Sequence, residues 1–408
     1  MTRRAAIVCP LRTPVGKYLG ALSSLSAGQL GAVILKALIE RSGIDPARVD
    51  DVVFSQGYGN GEAPAIGRWS WLAAGLPIEV PGFQLDRRCG SGVQAVAIAA
   101  MMVETGMADV VVAGGVESMS NVEHYTLAAR KGVRMGEMVL YDRLTRGRVM
   151  SQPIERFGVI TGMIETAENL AKDYGITREE ADAFAVRSHQ NAARAWAEGR
   201  FAEQLVPVAV PQRNGEVVMF DHDEGYRADA SLETLAKLVP IDIARDPAAI
   251  VTAGNASQQN DAAAACVVVA EDKLEELGLE PMLWFVGWAV AGCDPSRMGI
   301  GPVPAVKRLF ERYGFSWDDI GLIELNEAFA PQVLAVLKGW GWSADDSRRE
   351  ILNVNGSGIS LGHPIGATGG RILADMAYEM RRRGVRYGLE TMCIGGGQGI
   401  AAIFELAQ

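Results

Sequence analysis

LIERSGIDPARVDDVVF, from Leu38 to Phe54, has a second copy far downstream in LFERYGFSWDDIGLIEL, from Leu309 to Leu325. Both carry Glu-Arg-x-Gly-apolar at a helix end and then an aliphatic strand. A further pair follows each copy in the same order. ETGMADVVVAGG (Glu104 to Gly115) and RRGVRYGLETMC (Arg382 to Cys393) share helix end, glycine, strand and turn. One such match would mean little, but two in one order imply a duplicated α/β domain.

The chain around these copies alternates apolar strand-like runs with amphipathic or alanine-rich helical runs, the pattern of an α/β protein with buried sheets. Strands are expected at Ala5 to Cys9, Val52 to Ser55, Asp109 to Ala113, Ala264 to Ala270, Leu322 to Leu325 and Leu389 to Cys393. Helices are expected at Gly28 to Arg41, Val93 to Glu104, Arg178 to Glu198, Val303 to Tyr313, Pro331 to Gly339 and Gly369 to Arg383. The expected division is an N-terminal core half over 1–120, completed by 247–271, an inserted loop domain over 121–246, and a C-terminal core half over 272–408. The inserted stretch has its own texture: basic loops, an edge-like LVPVAVPQRNGEVVMF, and one long charged helix. Thr177 with Glu180 is a capping box that starts this helix.

At 408 residues, 49% hydrophobic and 22% charged, the chain can bury a large core. Its first apolar stretch, Ala5 to Leu11, is too short for a signal core or a membrane span, which predicts a cytoplasmic protein. Five cysteines (Cys9, Cys89, Cys266, Cys293 and Cys393) without a CxxC pair predict free thiols rather than disulfides or a zinc site. A net charge of −10 argues against nucleic-acid binding. Between Arg130 and Arg148, six basic residues stand against two acidic ones, either an anion-attracting surface or a solvated loop or subunit contact.

Four places combine chemistry-bearing residues with the ends of elements. Cys89 lies in DRRCGSGVQAVAIAAMMVE, where a glycine-bearing turn enters a wholly apolar helix. Such a helix is buried, and its positive end, with Arg87 and Arg88, is expected to favour the thiolate. The alternative is an inert buried cysteine. His363 sits in the glycine-dense NVNGSGISLGHPIGATGG, stiffened by Pro364, and is read as a base. TMCIGGGQG ends a strand at Cys393 and opens a glycine turn whose N–H groups suit an oxyanion. ELNEAFAP puts Asn326 and Glu327 where a strand stops. GSGVQA fits a loose dinucleotide pattern, but Pro81 and Gly82 spoil a preceding strand. GISLG lacks the downstream histidine of a serine hydrolase, and no HExxH or Walker loop occurs.

Together RRCGSGVQA, GGVESMS, TAEN, VTAGNAS, NEAFA, GHPIGATG and MCIGGGQG resemble, in order, the signatures of the thiolases, the acetyl-CoA C-acyltransferases. The resemblance implies a duplicated five-layer α-β-α-β-α core with an inserted loop domain that binds coenzyme A, assembled as a homo-oligomer, dimer or tetramer. It implies reversible cleavage of 3-ketoacyl-CoA, or Claisen condensation of two acyl-CoA molecules, as in fatty-acid β-oxidation; direction and pathway stay open. Cys89 would carry the acyl group, His363 accept its proton and Cys393 move the second proton. One oxyanion hole would come from His363 and a water on Asn326, the other from the N–H groups of Cys89 and Gly395. Ser257, Arg227 and Thr234 are the implied coenzyme A contacts and Met298 a pocket wall. No tightly bound cofactor, metal, nucleic acid or membrane span is expected, with coenzyme A as substrate and product. The rivals are a ketoacyl-synthase-type condensing enzyme and a non-catalytic acyl-CoA-binding relative. Asp86, Ile164, Glu165, Gln258, Ala262 and Val239 depart from the family pattern, which leaves acyl chain length open.

Overall fold

The computed structural model describes residues 3–407. A ten-stranded sheet, which includes a two-residue strand Gly16–Lys17 paired with Asn260 and Asp261, divides into two halves of one design. The first half contains β1 (Ala5–Arg12), β2 (Asp51–Ser55), β3 (Gly82–Leu85), β4 (Val110–Ser118) and β5 (Asn260–Ala270), running β1-β5-β4-β2-β3 outward from the junction. The second contains β6 (Leu283–Gly292), β7 (Leu322–Leu325), β8 (Tyr387–Ile394) and β9 (Gln398–Leu406), running β6-β9-β8-β7. In each half two antiparallel pairings are followed by a parallel one, β4 with β2 and β8 with β7. The halves meet where β1 lies against β6, through Ala6–Trp284 and Ile7–Leu283. Residues 121–246 contribute no strand to this sheet.

Eight principal helices complete the layers: α1 (Ala27–Ser42), α2 (Ile66–Ala73), α3 (Ser91–Glu104), α4 (Met163–Asp173), α5 (Arg178–Ala197), α6 (Pro302–Tyr313), α7 (Ala330–Gly339) and α8 (Thr368–Arg383). α1 starts on Ser26, whose capping box with Gln29 satisfies the first N–H groups, and stops at Gly43 with φ 73°. Its Leu30, Ile34, Leu35 and Leu38 bury against Val52, Phe54 and Val112 of the first half-sheet. α6 is the counterpart in the second half, opening on Pro302, closing at Gly314 and burying Ala305, Val306 and Leu309. α3 has no polar face to spare: Val93, Val96, Ala99 and Val103 pack with Ile372, Leu373 and Met376 of α8 between the inner faces of both half-sheets. The order is therefore helices, sheet, α3 with α8, sheet, helices, the expected five layers.

Two expectations about strands change. Pro81 and Gly82 do not prevent a strand; β3 begins at Gly82 because it is an edge, where a missing donor is tolerated. β6 and β9 extend the second half-sheet although neither was among the expected strands. β6 alternates in burial along its length, but its sequence LWFVGWAVAG is apolar throughout and so carries no polar alternation to mark it.

Candidate active site

The apolar helices α3 and α8 approach so closely that a methyl on Gly92 would lie 2.7 Å from the Gly370 nitrogen, and one on Gly369 would lie 2.3 Å from the Val93 nitrogen. Only glycine permits this contact, and it brings the starts of both helices together. Cys89 sits in the turn before α3, and His363 just before α8. Both line one cavity of about 390 Å³.

Cys89 is 8% exposed, and the backbone N–H groups of Gly395 and of Cys89 itself lie near its sulfur and favour its charged form. Burial pushes the thiol up, and the Gly395 N–H and Arg88 only partly offset this. The sequence expectation of a favoured thiolate is thus corrected, because desolvation outweighs the helix end. Arg87 is turned to Gln398 Oε1 at 3.0 Å, while Arg88 lies over the Tyr58 ring at 5.8 Å, and neither lines the cavity. The thiol therefore needs a proton acceptor to become a nucleophile.

His363 is placed to be one. Its backbone N–H donates to Asn260 Oδ1 (2.8 Å), and its Nδ1 lies 2.7 Å from Thr368 Oγ1, whose own proton goes to the Pro364 carbonyl (3.0 Å). The Thr368 oxygen must then accept from Nδ1–H, leaving Nε2 with its lone pair. Burial, with the charges of Arg371 and Arg148, lowers the imidazole to about 3, so it is neutral near pH 7. Asn326 Nδ2 lies 3.4 Å from Nε2 of this ring, and its Oδ1 is buried with no donor among the described residues.

Cys393 is fully buried near the end of β8, in an apolar cluster with Met298, Ala328 and Phe329, which also form the cavity wall. Burial, then the neighbouring Cys89 and Cys293, pushes its thiol well up. Beyond it the chain turns through Gly396 and Gly397, φ 86° and 84°, a conformation that favours glycine. Glu327, beside Asn326 in the chain, serves the scaffold: it accepts from Ser188 Oγ, Asn353 Nδ2 and the Ile359 N–H.

Ser257 and Met298 line the cavity, together with the unusual Ile164, Glu165 and Gln258. Arg227 and Thr234 do not. Arg227 is exposed and gives its backbone N–H to His189 Nδ1 at 3.2 Å, and Thr234 is taken up in a capping box with Ser231. The sequence reading singled out neither Phe329 nor Met163 as wall residues, and counted Arg148 only within the basic stretch; all three line the cavity. Apolar wall residues carry no local signal that separates them from ordinary core.

The whole chain has relatives among known proteins. Residues 5–272 match the family model "Thiolase, N-terminal domain" and residues 279–406 match "Thiolase, C-terminal domain". The chain is 44% identical to an acetyl-CoA acetyltransferase of Chromobacterium violaceum over 98% of this chain and 99% of that one. It is 45% identical to that of Cupriavidus necator over 98% of each. Among solved structures, Bacillus anthracis acetyl-CoA acetyltransferase superposes with TM-score 0.92 at 40% identity, covering 100% of this chain and 99% of the other. Human mitochondrial 3-ketoacyl-CoA thiolase in complex with CoA does so with TM-score 0.91 at 36% identity, covering 100% and 98%.

Proposed function

The chain belongs to the thiolase family, and from that premise we propose that it cleaves 3-ketoacyl-CoA with coenzyme A, or runs the reverse Claisen condensation, through an acyl group on Cys89. The observation that carries the proposal is the meeting of Cys89, with two N–H groups near its sulfur, and the neutral His363 in one cavity. In the cleavage direction the Cys89 proton passes to His363 Nε2, and the sulfur attacks the 3-keto carbon. The N–H groups of Cys89 and Gly395 hold the developing oxyanion. The C2–C3 bond then breaks, leaving the shortened acyl group on sulfur and an acetyl-CoA enolate. Cys393 protonates this enolate at carbon while His363 and a water on Asn326 bear its oxygen charge. Coenzyme A finally gives its thiol proton to the Cys393 thiolate and attacks the acyl-cysteine, forming a new C–S bond and releasing Cys89, which retakes its proton from His363.

Its high intrinsic pKa suits Cys393 to giving and retaking a proton at carbon rather than to standing as a thiolate. Ser257 and Met298 are proposed to hold the pantetheine and acyl portions, and Arg227 with Thr234 to meet coenzyme A outside the cavity. The protein is proposed to be a cytoplasmic homo-oligomer. The open edge of β3, with Phe83 at 36% exposure, supports a second copy there. No described helix is long and apolar enough to cross a membrane. Incubation with acetyl-CoA followed by peptide mass spectrometry tests the reading: an acetyl adduct is expected on the Cys89 peptide, and Cys89→Ala is expected to lose both adduct and turnover. An adduct that persists in Cys89→Ala would sink the assignment.

A further inference from the structure

Arg148 lines the same cavity as Cys89 and His363, yet it forms no salt bridge among the described residues. Other charged side chains nearby are engaged. Arg143 pairs with Glu123 at 2.9 Å, and Arg245 lies 3.7 Å from Asp242. Glu165 on the wall accepts from the Thr161 N–H and hydroxyl at 2.8 and 2.6 Å. Around Arg148 the wall is apolar apart from the Tyr58 hydroxyl, a neutral partner within reach of the guanidinium. Tyr58, Met119 and Leu144 form one cluster, packed on by Ile365, and Met119 and Ile365 reach the cavity. A half-buried guanidinium facing such a surface without an anion costs free energy, which a ligand's acid group would recover.

We propose that Arg148 binds an acid group on the acyl chain, so that the preferred substrate is the CoA thioester of a 3-oxo dicarboxylic acid rather than of a plain fatty acid. This rests on the thiolase reading and specifies its substrate class. The cavity of about 390 Å³, about a dozen water volumes, has room for a chain longer than acetyl. The phosphates of coenzyme A are unsuitable partners. With C3 at Cys89, the thioester and the pantetheine arm leave C3 on the side opposite the acyl chain and take the phosphates with them, whereas Arg148 is close enough for its charge to act on His363. In cleavage the part of the substrate beyond C3 stays on Cys89, so the acid group remains with Arg148 until coenzyme A removes the acyl chain.

Thiolysis of six- and eight-carbon 3-oxoacyl-CoA substrates ending in a carboxylate is to be compared with that of their methyl-ended isosteres. Wild type is expected to favour the acids by more than about tenfold in kcat/KM, and Arg148→Gln to cut that ratio by about 10- to 100-fold, as for one lost charge-assisted bond. Arg148→Lys should keep part of it. Three results overturn the inference: a wild-type ratio near one, an unchanged ratio in Arg148→Gln, or an equal loss on both series, which would give Arg148 to coenzyme A or the scaffold. Absence of thiolysis on every substrate by the wild-type protein would instead overturn the thiolase reading itself. A melting curve for each variant separates misfolding from recognition.

Discussion

The strand ends of the two half-sheets occupy matching places and do different work. In the second half, the end of β7 leads to Asn326, whose Nδ2 meets the His363 ring, and the end of β8 carries Cys393 and leads to Gly395, both neighbours of Cys89. In the first half the matching places hold Ser55, Gly115 and Glu117. Ser55 Oγ is shared between the Gly114 and Gly366 carbonyls at 3.0 and 2.7 Å, and Glu117 accepts the N–H groups of Gly57, Tyr58 and Gly366. Gly366 belongs to the loop that bears His363. One half therefore clamps that loop, and the other carries the groups proposed to act on substrate. Duplication gave two equivalent rims, and the chemistry needs only one of them to be reactive if the other fixes the base.

The strongest way to break this contrast is at the reactive rim. Cys393→Ser is expected to reduce exchange of acetyl-CoA α-hydrogens with deuterated water by about a thousandfold or more, because an alkoxide partner is inaccessible near neutral pH. Acylation of Cys89 should survive, since it needs only His363 and the two N–H groups. Near-native exchange in that variant would reassign the proton shuttle. The clamp is tested by Glu117→Gln, which cannot satisfy all three N–H groups. It should lose about 1–3 kcal/mol of stability by denaturant titration and slow acylation and exchange together, as a displaced base requires. If only one step slowed, the clamp would not act through His363.

The two halves should also respond to pH with opposite sign. His363 is lowered from 6.5 to about 3, so its contribution to stability is complete above 6.5 and is lost as pH falls toward 3. His189, lowered by burial to about 4, adds to the same side. Glu117 is raised by burial from 4.5 to about 7, so its contribution is present below 4.5 and is lost as pH rises through about 7. A domed melting profile is expected, with each arm worth on the order of a few kcal/mol. His363→Asn should flatten the acid arm and Glu117→Gln the alkaline one; parallel profiles in wild type and both variants would refute the pairing. The smallest effect is expected outside both rims. Thr234→Ala should cost about 1 kcal/mol through the lost acceptor of the Ser231 N–H and raise the KM for coenzyme A, with kcat unaffected.

Much of this contrast was readable in the sequence, because duplicated motifs carry strong local signals. Leu322–Leu325 was marked to the residue; Cys89, His363 and Cys393 were picked out by glycine turns at element ends, and Asn326 by the stop of its strand. What escaped notice depends on distant partners. β3 reads as broken by Pro81 until its edge position is known. α4 starts at Gly162 with no side-chain cap to announce it. Glu117 looks like a turn residue until the loop from the other half reaches it, and the desolvation that reverses the expectation for Cys89 is set by elements from the whole chain. The half-buried position of Arg148 likewise cannot be separated in sequence from its exposed basic neighbours.

The pairing of β1 with β5 has a consequence for how the protein is made. Ala5 aligns with Ala270, and β5 is also the partner of β4. On the ribosome the first half-sheet therefore stays unzipped between β1 and β4 until most of the polypeptide has emerged, and the apolar α3 waits uncovered for α8, later still. Contacts this distant in sequence make for slow acquisition of structure and a long interval of exposed strand edges. The nascent chain should thus depend on holding factors through synthesis, and its first 250 or so residues should aggregate when translation is truncated there.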